Sequence, residues 1–303
     1  MKLSFGEYEI EVGNADKIFF PEAGISKGEL VEYYAKVAET ILPYLEGRPV
    51  SMKRYPDGIE GKSFYQKEVP DHFPDWIERA RVSVQRGNGV VHHAVIRRAA
   101  DLAYLTDQAC VTPHVWLSTT DHLNRPDRMI FDLDPTSDDL GVVRDAAQAI
   151  RDVLKELGLA SYVMTSGSRG YHVWVPLDAE EDFDAVRDIA RGIAEAVVAR
   201  DPESFTVEQR KDQRGDRLLI DYLRNAYGQT SVPPYAVRAR PGAPVATPLG
   251  WDELGTGPRD YTIGNVLRRL GQKEDPWKEM PRSARPLAEP RQRLDALLSD
   301  QDG

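Results

Sequence analysis

The sequence predicts an α+β fold, on three observations. Short apolar, β-branched runs alternate with long amphipathic stretches in the middle of the chain, in the order β-α-β-β-α-β. The helical stretches repeat their apolar residues at helical spacing, and the strand-like runs end in turn residues. With 303 residues and 41% hydrophobic content, the chain can bury a sizeable core, in one large domain or two closely joined lobes.

Taken in order, Ser26 with Glu29 three residues later is a capping-box signature. It opens a helix through Leu30, Tyr33, Tyr34, Val37 and Ile41 to about Leu45. An apolar helix follows at Leu102–Ala109, and Met129, Ile130 and Phe131 read as a short buried strand. Residues 139–157 form a helix with Val142, Ala146, Ile150, Val153 and Leu157 on one face, stopped by Gly158. Residues 163–176 read as a hairpin. A third long helix runs through Phe183, Val186, Ile189, Ile193 and Val197 and ends before Asp201-Pro202. The run Arg217-Leu-Leu-Ile-Asp221 is a further strand. This order suits a ferredoxin-like or RNA-recognition-like core. Residues 232–250, rich in Pro, Gly and Ala, read as an extended connection around it. The expected partition is a main domain over 1–285 and a peripheral tail over 286–303, with a short amphipathic piece at 291–298. Within the domain, an N-terminal portion ends near 110 and the core runs from about 111 to 285.

The most informative motif is Met129-Ile-Phe-Asp132-Leu-Asp134-Pro135. Side chains alternate along a strand, so Asp132 and Asp134 project together while Leu133 turns back into the core and Pro135 ends the ladder. Two unpaired carboxylates held close together repel, and a bound divalent cation relieves them. The alternative is a turn in which each Asp caps nearby amides. A third carboxylate, Asp221, sits near the end of a similar run. Three carboxylates from two strands can hold a pair of Mg²⁺ or Mn²⁺ ions, since hard cations prefer oxygen ligands. Such a pair can clamp the attacking and leaving oxygens of phosphoryl transfer.

Between these strands lies Ser166-Gly-Ser-Arg-Gly170, flanked by apolar residues. Its glycines allow close approach of backbone amides to an anion, Ser166 and Ser168 can donate hydroxyl hydrogen bonds, and Arg169 adds a charged planar fork suited to phosphate. His172 follows on the return strand, on the face opposite Val173 and Val175. The segment reads either as an ordinary polar hairpin or, beside three carboxylates, as a triphosphate cradle. It does not fit the P-loop pattern.

The order Asp-Leu-Asp-Pro, Ser-Gly-Ser-Arg-Gly-x-His, Ile-Asp-Tyr-Leu-Arg-Asn resembles the three motifs of archaeo-eukaryotic-type primase-polymerases. More narrowly, the chain is similar to the polymerase domain of the bacterial end-joining ligase LigD and its stand-alone relatives. Further similarity lies in Asn14-Ala-Asp-Lys-Ile-Phe-Phe-Pro21 with Ser26-Lys27, in Met52-Lys-Arg-Tyr-Pro-Asp-Gly58, in Phe64-Tyr-Gln-Lys67, and in the stretch from Asn225 to Trp251. The likeness covers roughly residues 5 to 280 and implies a primase-like catalytic core with an N-terminal α/β lobe.

Carried over by position, the resemblance makes Asp132, Asp134 and Asp221 the catalytic metal ligands, with Asp221 the contact to the metal that activates the primer 3′-hydroxyl. It assigns Ser166, Arg169 and His172 to the incoming triphosphate, with Arg169 where relatives often carry Lys. His114, Arg214 and Arg238 complete the nucleotide residues. Lys17 and Lys27 match a pair that grips a 5′-phosphate, Lys53 lies in a similar neighbourhood, and Phe64, with Tyr65 beside it, matches an aromatic that stacks on template bases. Without the resemblance, these lysines read as solvated charges, Phe64 as core and His114 as a structural histidine.

Composition narrows the classes. The formal net charge of −10 is unusual for a nucleic-acid-binding chain, but local fields matter more than the total. Arg79, Arg81, Arg86, Arg97 and Arg98 predict a basic cleft on an otherwise acidic body. One cysteine, Cys110, excludes an internal disulfide and a cysteine-rich zinc site, which fits a reducing cytoplasm. No run is long enough to cross a membrane, and none resembles a signal core. The expectation is a cytoplasmic, nucleoid-associated bacterial polymerase. It would extend a primer 3′-OH with NTPs, preferring ribonucleotides, using two Mn²⁺ or Mg²⁺ ions. Its DNA substrates would be gapped or overhanging ends with a 5′-phosphate, in gap filling and non-homologous end joining. The 303 residues contain no ligase or nuclease domain, so Ku and a separate DNA ligase are the expected partners if the chain is complete. A primase starting chains de novo and a non-catalytic DNA-end-binding module remain open.

Overall fold

The structure, a computed structural model, describes residues 1–84, 89–135 and 139–301. Arg86, one of the arginines expected in a basic cleft, lies outside the described residues. The chain forms two compact units that do not follow chain order. The first comprises Met1–Leu123 with Thr230–Thr247 and Asp260–Lys273, and the second Asn124–Gln229 with Pro248–Arg259 and Glu274–Gly303. Three stretches of the expected 111–285 core, 111–123, 230–247 and 260–273, therefore belong to the N-terminal unit.

In the N-terminal unit, Ser26 caps the helix Lys27–Leu45 as its sequence predicts. The Ser26 hydroxyl accepts from the Glu29 amide at 3.2 Å and the Glu29 carboxylate accepts from the Ser26 amide at 2.7 Å. The helix buries Leu30, Tyr34, Val37, Ile41 and Leu45. Each such side chain contributes roughly 1.5–3 kcal/mol as an upper estimate. A second helix spans Ala99–Asp107, earlier than the predicted 102–109. The buried Asp101 carboxylate starts it by accepting from the Arg97 and Arg98 amides at 2.8 and 3.0 Å. Ala109, at φ +63°, ends it, because a left-handed residue cannot continue a right-handed helix. The sheet runs Thr230–Ser231, Cys110–Trp116, Pro49–Arg54, Val90–Val95, Arg79–Ser83, with Phe64–Gln66 paired to Pro49–Arg54.

In the second unit the β-α-β-β-α-β order appears as Arg128–Leu133, Leu140–Glu156, Tyr162–Thr165, Tyr171–Pro176, Phe183–Arg200 and Phe205–Thr206. Asp139 caps the first helix through the Gly141 amide at 2.7 Å, and Asp182 the second through the Ala185 amide at 2.9 Å. Val143, Ala146, Ile150 and Val153 of one helix and Val186, Ile189, Ile193 and Val197 of the other are buried, and the helices pack on each other and on the sheet. The sheet order is Arg128–Leu133, Tyr171–Pro176, Tyr162–Thr165, Pro248–Leu249, antiparallel throughout. Phe205–Thr206 departs from the expected pattern by pairing in parallel with Leu218–Leu219 outside this sheet. The predicted strand 217–221 shortens to those two residues, yet Asp221 still meets the outer edge of Arg128–Leu133 in a single antiparallel bridge to Asp132. Ferredoxin-like order thus survives at its outer edge as one residue pair, the one that carries the carboxylates.

The expected tail holds a helix, Ala288–Gln301, packed on Phe183–Arg200. At Gly192 a Cβ would stand 2.9 Å from Leu294 Cδ2, so the absence of a side chain there permits the close approach. No helix among the described residues is long and apolar enough to cross a membrane.

Candidate active site

The Asp132–Asp221 bridge joins the two acidic motifs. The Asp132 amide donates to the Asp221 carbonyl at 3.0 Å and the Asp221 amide to the Asp132 carbonyl at 3.1 Å. One step along the edge, the fully buried Asn225 takes the place of a strand. Its Oδ1 accepts from the Ile130 amide at 2.8 Å and its Nδ2 donates to the Ile130 carbonyl at 2.8 Å. This side chain satisfies an edge that would otherwise be orphaned, and so holds the two acidic segments in register. The Asp221 carboxylate accepts from the Leu223 amide at 2.8 Å, which fixes the turn Leu223–Asn225 beneath it.

On the inner side, Asp132 pairs in register with His172. Directly opposed residues share a face, and His172 Nε2 lies 3.4 Å from Asp132 Oδ1, while its buried Nδ1 has no partner among the described residues. The hairpin expected at 166–170 is present: Thr165 faces Tyr171, and the Ser166 amide donates to the Gly170 carbonyl at 2.9 Å. Its interior differs from an open anion cradle. The Ser166 hydroxyl is buried and accepts from the Ser168 and Gly170 amides at 3.2 and 3.1 Å, so two loop amides are engaged within the loop. The Ser168 carbonyl accepts from Arg259 Nε at 2.6 Å. Gly170 serves packing: a Cβ there would lie 1.7 Å from the Leu133 carbonyl oxygen, between the two acidic residues.

Asp132, Asp134 and Asp221 line one cavity of about 360 Å³ together with Arg169, Lys211, Arg214 and Arg224. Four cations face three carboxylates. Arg224 Nε is 3.5 Å from Asp132 Oδ2, and an Arg169 guanidinium nitrogen is 3.9 Å from Asp134 Oδ2. Burial, and then the charge of Asp132, push the Asp221 pKa above its ordinary value; the Leu223 amide and the charges of Arg224 and Arg214 oppose this. Among the described residues no three His, Cys, Asp or Glu side chains converge as a metal-ligand group. The donor chemistry nevertheless fits a hard cation: three carboxylates on one cavity, one of them disfavoured as an anion by burial and then by its neighbour. Binding would require the carboxylates to exchange their arginine and histidine contacts for the metal.

The N-terminal unit gathers other predicted residues on its sheet. Lys53 lies opposite both Tyr65 and Thr112, and its ammonium sits 4.3 Å from the Tyr65 ring centroid. The Tyr65 ring meets His114 edge-on at 5.3 Å. Phe64 is 44% exposed, so it is not a core residue, and the Arg54 guanidinium stands 5.6 Å from its ring. Exposed aromatic faces beside cations suit stacking on bases. Lys17 and Lys27 are joined by the Lys27 amide donating to the Lys17 carbonyl at 2.8 Å. Their ammonium groups differ sharply. Lys17 reaches the exposed Asp57 at 2.8 Å, whereas Lys27 is buried against Asp107 at 2.7 Å and the Gly13 carbonyl at 2.7 Å. Three of the arginines named for the expected basic cleft are engaged within their own unit. Arg97 forks onto Glu78 at 2.8 and 2.9 Å, Arg98 binds Asp101, Tyr8 and the Trp76 carbonyl, and Arg79 donates to the Phe73 and Ile77 carbonyls.

Lys211, Arg224, Asn225 and Arg259 were not singled out from the sequence as site residues. Arg224 and Asn225 carried a usable signal, since they stand three and four residues after Asp221 in one turn. Arg259 carried none, because its contact spans the hairpin from a distant segment.

The acidic bridge at the edge of the ferredoxin-like sheet thus lies beside a histidine on the neighbouring strand and three arginines. The chain belongs to the LigD primase-polymerase domain family, whose pattern matches residues 26–277. It is 31% identical over 282 residues to the multifunctional non-homologous end joining DNA repair protein LigD of Mycobacterium tuberculosis, covering 90% of this chain and 37% of that protein. It is 32% identical over 294 residues to the bifunctional non-homologous end joining protein LigD of Bacillus subtilis, covering 96% of this chain and 46% of that one. The chain thus spans less than half the length of these relatives. The polymerase domain of Mycobacterium tuberculosis Ligase D in complex with DNA has a similar structure: TM-score 0.84, 29% identity, 91% of this chain and 99% of that chain covered.

Proposed function

We propose that this chain is a template-directed nucleotidyltransferase that adds NTPs, ribonucleotides by preference, to a primer 3′-OH at gapped or overhanging DNA ends. The observation that carries the reading is the backbone-locked Asp132–Asp221 pair, lining one cavity with Asp134 and four cationic side chains. Asp132, Asp134 and Asp221 are the residues that would hold Mn²⁺ or Mg²⁺. When bound, two such ions supply activation of the 3′-hydroxyl and charge neutralisation at the leaving pyrophosphate. Arg169, Arg214 and His172 orient the triphosphate, and Ser166 acts mainly by holding the loop that carries Arg169. On the same reading His114 and Arg238 of the N-terminal unit contact the nucleotide. Phe64 and Tyr65 stack on bases, and Lys17 meets the 5′-phosphate, with Lys53 beside them. The DNA in the related complex and the end-joining names of the relatives support a role in gap filling and end joining, with Ku and a ligase activity as partners.

The test is primer extension by wild type and Asp132→Ala, with binding to a 5′-phosphorylated gap measured in parallel. The expected result is loss of extension with binding retained. Robust extension by Asp132→Ala would refute the assignment of the carboxylates.

A further inference from the structure

Arg238 sits in a return segment of the N-terminal unit that is pinned by three buried hydroxyls. The Tyr33 hydroxyl donates to the Tyr235 carbonyl at 2.8 Å, and Tyr235 itself holds a left-handed φ of +63° while fully buried. Two residues on, both backbone groups of Val237 are taken by side chains. Its amide donates to the Tyr34 hydroxyl at 2.9 Å, and its carbonyl accepts from Thr112 Oγ1 at 2.6 Å. The Tyr34 hydroxyl in turn donates to the Val111 carbonyl at 2.8 Å. Burial pushes the Tyr34 pKa well above its ordinary value, so the hydroxyl keeps the proton it donates. The Arg238 amide then closes onto the Pro244 carbonyl at 2.8 Å.

These contacts tie the residue before Arg238 to one particular strand, Cys110–Trp116. Thr112 and His114 are two residues apart on it and share a face, and Thr112 lies opposite Lys53, itself opposite Tyr65. An extended segment could be retained by packing alone. Here two hydroxyls from different elements converge on the two polar groups of one residue, which fixes its backbone orientation as well as its place.

We propose that Tyr34 and Thr112 are positioning residues for Arg238, setting its guanidinium for the nucleotide phosphates; this rests on the reading that Arg238 contacts them. Removing the hydroxyls leaves the segment in place through the Ala246–Ala236 and Arg238–Pro244 backbone bonds but loosens the orientation of Val237, so the loss falls on phosphate affinity. The full chain would be assayed at saturating primed duplex for kcat and for KM toward NTP, with inorganic tripolyphosphate as a competing probe. The variants are Arg238→Ala, Tyr34→Phe, Thr112→Val, the clamp double variant, and that pair combined with Arg238→Ala. The expected result is a KM and a tripolyphosphate inhibition constant raised roughly three- to thirtyfold in the clamp double variant, with DNA affinity unchanged. In the Arg238→Ala background the clamp substitutions should add nothing. Thr112→Ser, which keeps the hydroxyl, should restore the wild-type KM. The proposal is overturned if the clamp variants leave KM unchanged, or raise it by the same factor with and without Arg238. An unchanged KM in Arg238→Ala would instead overturn the phosphate role of Arg238 itself. Should Tyr34→Phe fail to fold, the comparison of Thr112→Val with Thr112→Ser in both backgrounds decides alone.

Discussion

Gly170→Ala should disable catalysis far more than its size suggests. The added Cβ would lie 1.7 Å from the Leu133 carbonyl oxygen, 2.9 Å from its carbon and 3.3 Å from Pro135 Cδ. Cβ atoms keep at least 3.0 Å from such neighbours, so the strands must separate locally by about 1.3 Å, the gap between 1.7 and 3.0 Å. The obstacle is backbone on both sides, and no rotamer change relieves it. Overpacking of this kind costs about 1–3 kcal/mol of stability. The larger effect is on geometry, because Leu133 lies between Asp132 and Asp134, and a misplacement of about 1 Å in a catalytic constellation can lower the rate ~100-fold. The assay is steady-state extension of a primed gap alongside thermal melting. Gly255→Ala is the control, since nothing lies within 4 Å of its Cβ position. Near wild-type turnover by a folded Gly170→Ala would refute the claim that this approach sets the carboxylates.

The charges of the site and of the lysine pair set four further expected outcomes. Asp221→Asn should raise the melting temperature at neutral pH while abolishing extension. Because the folded-state pKa of Asp221 is raised, ionisation destabilises the native state, and the advantage should vanish as pH falls below the ordinary carboxylate range. A melting gain that grows toward acid pH would contradict the sign. Mn²⁺ or Mg²⁺ should stabilise the wild type against heat and leave Asp221→Asn unchanged; equal shifts in both would place the metal elsewhere. Lys27→Ala should lower stability by about 3 kcal/mol in chemical denaturation, since it leaves Asp107, whose side chain is only 12% exposed, with the Gly13 amide and the Gln108 side chain as donors but no opposite charge. Lys17→Ala, whose ion pair is exposed, should instead leave stability unchanged and erase discrimination between phosphorylated and unphosphorylated gaps.

The sequence made the local rules plain. Ser26 with Glu29, the amphipathic stretches at 140–156 and 183–200, and the alternation placing His172 on the face opposite Val173 and Val175 are all consequences of spacing within a few residues. What stayed hidden depends on long-range closure. The edge at Asp221 shrinks to one bridge because Asn225 replaces the missing strand with its side chain, which no strand propensity records. The glycines of 166–170 signalled a tight turn, but only the three-dimensional approach to Leu133 shows which of them is sterically required. Lysine and arginine are usually exposed, so nothing local marked Lys27 as buried or Arg97 and Arg98 as engaged within their own unit.

The central claim is tested most directly by primer extension on a short-gap duplex carrying a 5′-phosphate. Mn²⁺ would be compared with Mg²⁺, ribonucleotides with deoxyribonucleotides, and a primer-free lane included. The account predicts templated, metal-dependent addition of ribonucleotides that is strengthened by the 5′-phosphate. Product confined to the primer-free lane, or tight gap binding with no extension under either metal, would contradict it.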